Sequence, residues 1–154
     1  MPISFEKTEL PDGAAKFFAT FARFEFALKD QNLFLVDNRG AVRADWDRFA
    51  GQLPPEFFAS IVASGRADTL LNEPPKKQTI VAGSLDFIEQ NEPQNTLELL
   101  VAIRRMRNNL FHGGKSGDPE GKERNELLIS EAHWVIEQTL LAHDHVRYSF
   151  EGLY

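Results

Sequence analysis

Residues 96–112 have the sequence TLELLVAIRRMRNNLFH, and this stretch decides the fold class of the chain. Its apolar residues recur three and four positions apart, which is the spacing of one face of an α-helix. They form a seam of Leu99, Ile103, Met106 and Leu110. Thr96 is a suitable N-cap, and the pair Gly113-Gly114 is a common helix stop. The pattern predicts a long amphipathic helix from about Thr96 to Gly113, with one buried face.

Segments on both sides of this helix show the same periodicity. A first helix is predicted from about Asp12, as N-cap, to about Leu33, with one apolar stripe formed by Phe17, Phe21, Phe24 and Leu28. Shorter helices are predicted around residues 43–51, 55–63 and 76–91, and a last helix around 121–147. Residues 36–42 fit either a small hairpin or a simple turn. The chain is therefore predicted to be an all-α helical bundle of about five or more helices, forming a single domain over residues 1–154.

Composition excludes several classes of protein. The chain has 154 residues, of which 42% are hydrophobic and 26% charged, and this is ordinary globular usage. It has no cysteine, which removes disulfides, thiolate metal sites and a cysteine nucleophile. The first residues become polar too early for a signal peptide, and no apolar run approaches the ~20 residues that span a bilayer. We expect a cytoplasmic protein with no membrane partner.

Charge is unevenly distributed along the chain. The net charge is -6, but residues 104–124 hold six basic and three acidic residues, a local charge of +3 that leaves -9 for the remainder. The acidic total argues against nonspecific binding of long nucleic acids, which requires many phosphates to be neutralised. The basic segment remains compatible with one or two phosphates. Arg104, Arg105 and Lys115 are therefore candidate substrate-binding residues.

The predicted helix 96–112 also carries a polar stripe. At 100° per residue, Arg105, Asn108 and His112 lie together opposite the apolar seam, and Arg107 lies at the border between the seam and Phe111. Such a stripe presents its side chains to a ligand or partner. A structural role is the alternative, since arginine and histidine near a helix C-terminus complement the helix dipole.

The segment Arg107-Asn108-Asn109-Leu110-Phe111-His112 resembles the signature of the HEPN superfamily. That signature is an arginine, a polar residue, three further residues and a histidine, late in a core helix; Arg107, Asn108 and His112 match it. Residues 23–29, which include Glu25 and Lys29, also resemble the first helix of bacterial members, whereas residues 34–91 match nothing in the family. The resemblance implies a compact helical bundle. It further implies either a dimeric, metal-independent endoribonuclease, often a toxin or defence effector, or a non-catalytic module that binds nucleotide, RNA or a protein partner.

The chemistry of these residues suits the first alternative. Histidine titrates near neutral pH, so His112 is the candidate acid or base. Arg107 offers a fork of donors to phosphate oxygens, and Asn108 is expected to orient the histidine or contact the phosphate. Attack by the ribose 2′-hydroxyl then gives a 2′,3′-cyclic phosphate. Glu25 and Lys29 are weaker candidates as neighbours of this site, with an exposed ion pair between them as the alternative.

A dimer follows from the helix geometry. On an ideal helix Arg107 and His112 are about 140° apart in angle and about 7.5 Å apart along the axis, so one chain presents them poorly to one phosphate. A twofold homodimer that packs this helix against its copy supplies both groups to one cleft, as the resemblance also implies. RNA or a nucleotide is the expected ligand, and a cognate antitoxin is a further expected partner.

No metal or other cofactor is expected. His143 and His145 are two residues apart and point in nearly opposite directions on a helix, so they do not share an ion easily. His133 and Glu137 are four residues apart and are predicted to form a solvated pair.

Overall fold

The computed structural model describes residues 1–111 and 119–153. A single 3₁₀ turn at Glu6–Thr8 precedes seven α-helices and two antiparallel hairpins within these ranges. The helices are α1 (Ala14–Asp30), α2 (Trp46–Gln52), α3 (Phe57–Ser64), α4 (Asp68–Asn72), α5 (Thr96–Phe111), α6 (Pro119–Ala142) and α7 (Asp144–Glu151). The strands are β1 (Phe34–Val36), β2 (Val42–Ala44), β3 (Lys77–Val81) and β4 (Ser84–Ile88). The fold is mainly helical, and the prediction of a purely all-α chain is wrong.

The hydrophobic core lies between the long helices. The predicted α1 stripe of Phe17, Phe21, Phe24 and Leu28 is buried, and so are the α5 seam residues Leu99, Ile103 and Met106. Leu110 is partly buried and packs against the same core. Buried residues of α6, such as Val135 and Ile136, complete the packing. The helical periodicity in the sequence therefore identified the faces that form the core.

The ends of α1 differ from the prediction. The N-cap is Gly13 with φ 84°, and no side chain caps the helix, so the prediction that Asp12 is the N-cap is wrong. The Ala14 amide donates to the Pro11 carbonyl at 3.1 Å, which places Asp12 inside a tight turn. At the other end the chain turns through Asn32, with φ 61°, so that the helix stops at Asp30, before the predicted Leu33.

The cap of α5 is one residue earlier than predicted. The side-chain Oδ1 of Asn95 accepts the Glu98 amide at 2.9 Å, so Asn95 is the N-cap and Thr96 is the first helical residue. The Glu98 carboxylate in turn accepts the Gln94 amide at 2.8 Å. The first bond satisfies a free donor in the first turn of the helix, and the second holds the residue before the cap. The predicted helix stop at Gly113-Gly114 lies outside the described residues.

The prediction of a helix over residues 76–91 is wrong, because this segment contains the β3–β4 hairpin. Ala82 and Gly83 connect the strands, with φ values of 50° and 80°. Two consecutive positive φ angles define the tight turn that joins antiparallel strands. The run Thr79-Ile80-Val81 consists of β-branched residues, which favour a strand. The apolar residues in this short segment are too few to separate a period of 3.6 from a period of 2.

The remaining predictions for the middle of the chain hold in part. Residues 36–42 belong to a hairpin, in which Val36 pairs with Val42 and Asp37 accepts two amides in the turn. The helix predicted over 43–51 begins later, at Trp46, because Asp45 caps it by accepting the Arg48 amide at 3.1 Å. The helix predicted over 55–63 is α3, and α4 is not predicted from the sequence.

The helix predicted over 121–147 is two helices in the structure. His143 has extended backbone angles, φ −138° and ψ 92°, and separates α6 from α7. Its Nδ1 accepts the Val146 amide at 3.3 Å and so caps α7. Apolar periodicity continues across this break, since both Leu140 and Val146 are buried, and a break between two apolar faces is invisible to the pattern. No helix in the described ranges has the length and apolar character to cross a membrane.

Candidate functional site

Helix α5 buries its apolar seam against the core and directs Arg104 and Arg107 toward α1 and α2. Its C-terminal half is fixed by Asn109, whose Nδ2 donates to the Lys76 carbonyl at 2.7 Å, just before β3. Arg104 and Arg107, one turn apart on this helix, both pack on aromatic rings from other elements. The site is therefore built where α5 meets α1 and α2.

Arg107 lies between two aromatic rings. Its Cζ is 5.3 Å from the ring centroid of Phe21 on α1 and 4.7 Å from that of Phe111, one turn further along α5. Its Nη1 donates to Asn108 Oδ1 at 3.2 Å. Aromatic faces attract a guanidinium and limit its orientations without neutralising its charge. Arg107 is half-buried and held in place as a cation.

Asn108 is exposed and hydrogen-bonds to the neighbouring arginine. His112 and Lys115, which are predicted to complete the site, lie outside the described residues. Of the three predicted catalytic residues, the structure thus places Arg107 and Asn108 in contact with each other.

Arg104 and Glu25 both contact Trp46. The Cζ of Arg104 lies 5.7 Å from the Trp46 ring centroid, and the indole Nε1 donates to Glu25 Oε2 at 2.7 Å. The same indole stacks on Phe21 at 5.3 Å between ring centroids, so that it adjoins the ring beneath Arg107. Glu25 therefore lies beside the arginine-bearing helix face, held there by a residue from the middle segment of the chain.

The ion pair between Glu25 and Lys29, which was the alternative to a role at the site, is absent. Within residues 1–111 and 119–153 the structure contains one ion pair, between Arg147 and Asp144. Glu25 instead accepts the indole N–H, and Lys29 is half-buried on the next turn of α1. The i, i+4 spacing permits a pair, but the nearby indole competes for the carboxylate.

Arg105 is half-buried and has no hydrogen-bond partner among the described residues. Burial lowers the pKa of Arg105, although a guanidinium remains charged at neutral pH. Arg105 is not among the arginines that lie over Trp46, Phe21 or Phe111. The structure therefore separates it from the aromatic contacts that organise Arg104 and Arg107.

The face that carries Arg104 and Arg107 has the electrostatic character of an anion-binding surface. In the part of the chain that the structure describes, neither Arg104, Arg105 nor Arg107 forms an ion pair with a carboxylate. Arginine presents donors in a planar fork that matches phosphate oxygens, and a charge-assisted bond of this kind is roughly twice as strong as a neutral one. A phosphate is thus a suitable ligand for the face formed by Arg104 and Arg107.

Four residues of this arrangement were not identified as site residues from the sequence. Phe18, Phe21 and Trp46 have the appearance of core residues, and Phe111 that of a residue beside the apolar seam. The rings of Phe18 and Phe111 meet edge-on at 5.9 Å, and this contact joins residues 93 positions apart. No local pattern indicates such contacts, because they depend on how α1, α2 and α5 pack.

The other histidines lie elsewhere. His133 is half-buried and not solvated as predicted: its Nε2 is 3.2 Å from Thr20 Oγ1, beside a cavity of about 240 Å³ that is also lined by Lys16 and Ser130. Burial, with a smaller effect of Lys16, lowers the pKa of His133, while the nearby carboxylate of Glu137 acts in the opposite direction.

Both ring nitrogens of His143 have hydrogen-bond partners within the fold. Its Nε2 is 2.8 Å from Gln52 Oε1, while Nδ1 accepts the Val146 amide. Burial is also the main cause that lowers the pKa of His143. Its ring centroid is 6.4 Å from that of His145. Across residues 1–111 and 119–153, no group of three or more histidine or carboxylate side chains is arranged to hold a metal ion.

Comparisons with known proteins assign no family. The chain matches no protein-family model, no curated protein and no solved structure. A function for this chain is therefore inferred from the residues themselves, in particular from arginines that are held by aromatic rings and lack carboxylate partners in the described ranges.

Proposed function

We propose that this protein is a metal-independent endoribonuclease of HEPN type, with Arg107, Asn108 and His112 in its active site. The observation that supports the proposal is the state of Arg107. Its guanidinium lies between Phe21 and Phe111, is hydrogen-bonded to Asn108, and has no carboxylate partner among the described residues. A fixed cation beside the polar residues of the motif is what binding of a reacting phosphate requires.

The proposed reaction is an internal phosphoryl transfer in RNA. His112 accepts the ribose 2′-hydroxyl proton, the 2′-oxygen bonds to phosphorus, and the bond from phosphorus to the 5′-oxygen breaks. A protonated acid supplies the proton that the leaving oxygen needs, and a second His112 is available for this in a dimer. Arg107 donates to the non-bridging oxygens as charge develops, and Asn108 holds the guanidinium. The products are a 2′,3′-cyclic phosphate and a 5′-hydroxyl.

A homodimer is part of the proposal. Twofold packing of α5 against its copy brings two arginines and two histidines to one cleft, which the helical separation of Arg107 and His112 within one chain does not achieve. Arg104, Arg105 and Lys115 then contact flanking phosphates, and Glu25 and Lys29 border the cleft. Sedimentation at micromolar concentration tests this point: a monomer contradicts it.

The test is an RNA cleavage assay with end-group analysis, in buffer containing EDTA. The wild type is expected to release 2′,3′-cyclic phosphate ends. His112→Ala is expected to reduce the rate by about 10²–10⁴-fold, as for loss of a general acid or base. Arg107→Ala is expected to reduce it by about 10²–10³-fold, as for loss of a charge-stabilising donor.

Arg39→Ala is the matched control, because Arg39 is an exposed arginine in the β1–β2 turn. It is expected to cleave like the wild type. If the His112→Ala variant cleaves RNA as fast as the wild type, the basis of the proposal is removed.

A growth assay tests the cellular role that we propose, that of a cytoplasmic toxin or defence effector held in check by an antitoxin. Expression is expected to slow a bacterial host, and Arg107→Ala or His112→Ala to relieve the effect. Equal growth with and without these substitutions favours the second candidate, a non-catalytic module that binds nucleotide, RNA or a protein partner. The net charge of -6 is the observation that favours this second candidate. An acidic protein neutralises few phosphates and therefore gains little affinity for long RNA.

A further inference from the structure

Phe111 is a large aromatic residue in an unusual position. Its side chain is 59% exposed, although it lies next to the core helices. Its ring meets the half-buried ring of Phe18 at 90°, with 5.9 Å between centroids. A contact of this kind restricts the ring of Phe111 to few orientations while leaving much of its surface accessible.

The cation beside Phe111 is the proposed phosphate-binding group. The Cζ of Arg107 is 4.7 Å from the Phe111 centroid, a distance shorter than one nucleotide. A phosphate bound to Arg107 therefore brings its attached nucleoside within reach of the ring. Every nucleobase has a π-face that stacks on an aromatic side chain, provided that the base is unpaired.

From this juxtaposition we infer that Phe111 and Arg107 form a single-nucleotide subsite, in which Arg107 binds a phosphate and Phe111 stacks on an adjacent unpaired base. The ligand class is single-stranded nucleic acid, because a base inside a duplex is already stacked and paired. The inference rests on the proposed function for the role of Arg107, and it adds the residue that selects single strands.

A second exposed phenylalanine provides a matched control. Phe26 on α1 is 42% exposed, and the Cζ of Arg23 lies 4.6 Å from its centroid. Arg23, however, donates to the carbonyls of Ser149 and Phe150 at 2.9 Å and 2.8 Å. The two Arg–Phe pairs have nearly the same distance from Cζ to the ring centroid, but the guanidinium of Arg23 is hydrogen-bonded to the C-terminal end of α7.

The experiment measures binding separately from cleavage. A fluorescein-labelled single-stranded deoxyoligonucleotide lacks the 2′-hydroxyl that the proposed reaction uses, so that its anisotropy reports affinity alone. Phe111→Ala is expected to weaken binding about 5- to 150-fold, the loss typical of one base–aromatic stack. Phe111→Trp retains a ring and is expected to bind within about twofold of the wild type. Phe26→Ala is expected to bind like the wild type.

Two further probes identify the group that is recognised. An abasic strand of the same length is expected to bind the wild type and Phe111→Ala equally, because no base is present to stack. A duplex of the same sequence is expected to bind more weakly than the single strand. Far-UV circular dichroism checks that each variant is folded.

The inference is overturned if the wild type does not bind the single strand, if Phe111→Ala binds as well as the wild type, or if Phe26→Ala is weakened equally. Failure of the proposed function gives a different result. Binding that depends on Phe111 but never leads to RNA cleavage refutes the ribonuclease and leaves the subsite standing. Cleavage with unchanged kcat and KM in Phe111→Ala refutes the subsite and leaves the ribonuclease standing.

Discussion

The bond between Trp46 and Glu25 is expected to couple the two residues energetically, and a double-mutant cycle measures the coupling. Trp46 is 2% exposed, and its Nε1 donates to Glu25 Oε2 at 2.7 Å. A hydrogen bond to a charged group contributes about 1.5–3 kcal/mol, and the half-buried position of Glu25 favours the lower end of this range. The expected coupling in the free energy of unfolding is therefore about 1–2 kcal/mol.

Each single variant has its own expected loss of stability. Trp46→Phe removes the donor and some of the ring packing against Phe21 and Phe24, so it is expected to cost more than Glu25→Ala. Glu25→Ala leaves a buried indole N–H without its partner, which costs about 1–3 kcal/mol. Once the bond is absent, the second substitution costs less, and the double variant is expected to lose less stability than the two losses added together.

Urea unfolding followed by far-UV circular dichroism gives all four free energies without depending on Trp46 fluorescence. Trp134→Phe combined with Glu25→Ala is the control cycle, since Trp134 packs under Arg66, whereas the indole that donates to Glu25 is that of Trp46. This control is expected to be additive to within about 0.5 kcal/mol. A Trp46–Glu25 coupling no larger than that of the control would refute the assignment of this bond, and with it the reason given for the position of Glu25.

Three further outcomes are expected. Arg23→Ala removes the donor to the last carbonyls of α7, and is expected to lower the free energy of unfolding by about 1–2 kcal/mol in urea titrations; an unchanged midpoint would show that this contact is not stabilising. Burial lowers the pKa of His143 below its unfolded value of about 6.5, so the folded state disfavours protonation of the ring. The free energy of unfolding is therefore expected to be greatest above about pH 6.5 and to decline as the pH falls below it. His143→Asn keeps a capping acceptor and is expected to flatten this part of the profile in urea titrations between pH 5 and 8, whereas a slope equal to that of the wild type would assign the effect to other groups. Gly83→Val places a branched side chain at φ 80°, and is expected to cost about 1–2 kcal/mol in thermal unfolding, while the same change at Ser84, inside β4, is expected to be tolerated.

Periodicity in the sequence was sufficient to place the buried faces of the long helices. Phe17, Phe24 and Ile103 are buried as the spacing predicts, because burial of a helical face depends on residues three and four apart on the same segment. The same reasoning was wrong for residues 77–88, where the turn at Ala82-Gly83 outweighs the apolar content. It also missed the break at His143, which is set by a cap and not by hydrophobicity.

The candidate site was likewise predictable from the sequence only in part. Its charged residues are neighbours in the sequence, so the position of Arg107 beside Asn108 and near Phe111 follows from one helix. The contacts that orient it come from distant segments: Phe21 from α1 beneath Arg107, and Trp46 from the middle segment between Arg104 and Glu25. These contacts exist only once α1, α2 and α5 pack together.

The sequence by itself determined which helical faces are apolar and where positive charge is concentrated, since both are properties of residues within one or two turns. Only the tertiary structure decided that aromatic rings hold Arg104 and Arg107, that Glu25 accepts the Trp46 indole in preference to pairing with Lys29, and that Phe111 remains exposed. The physical reason is that side chains far apart in the chain compete for the same partners, and packing settles that competition.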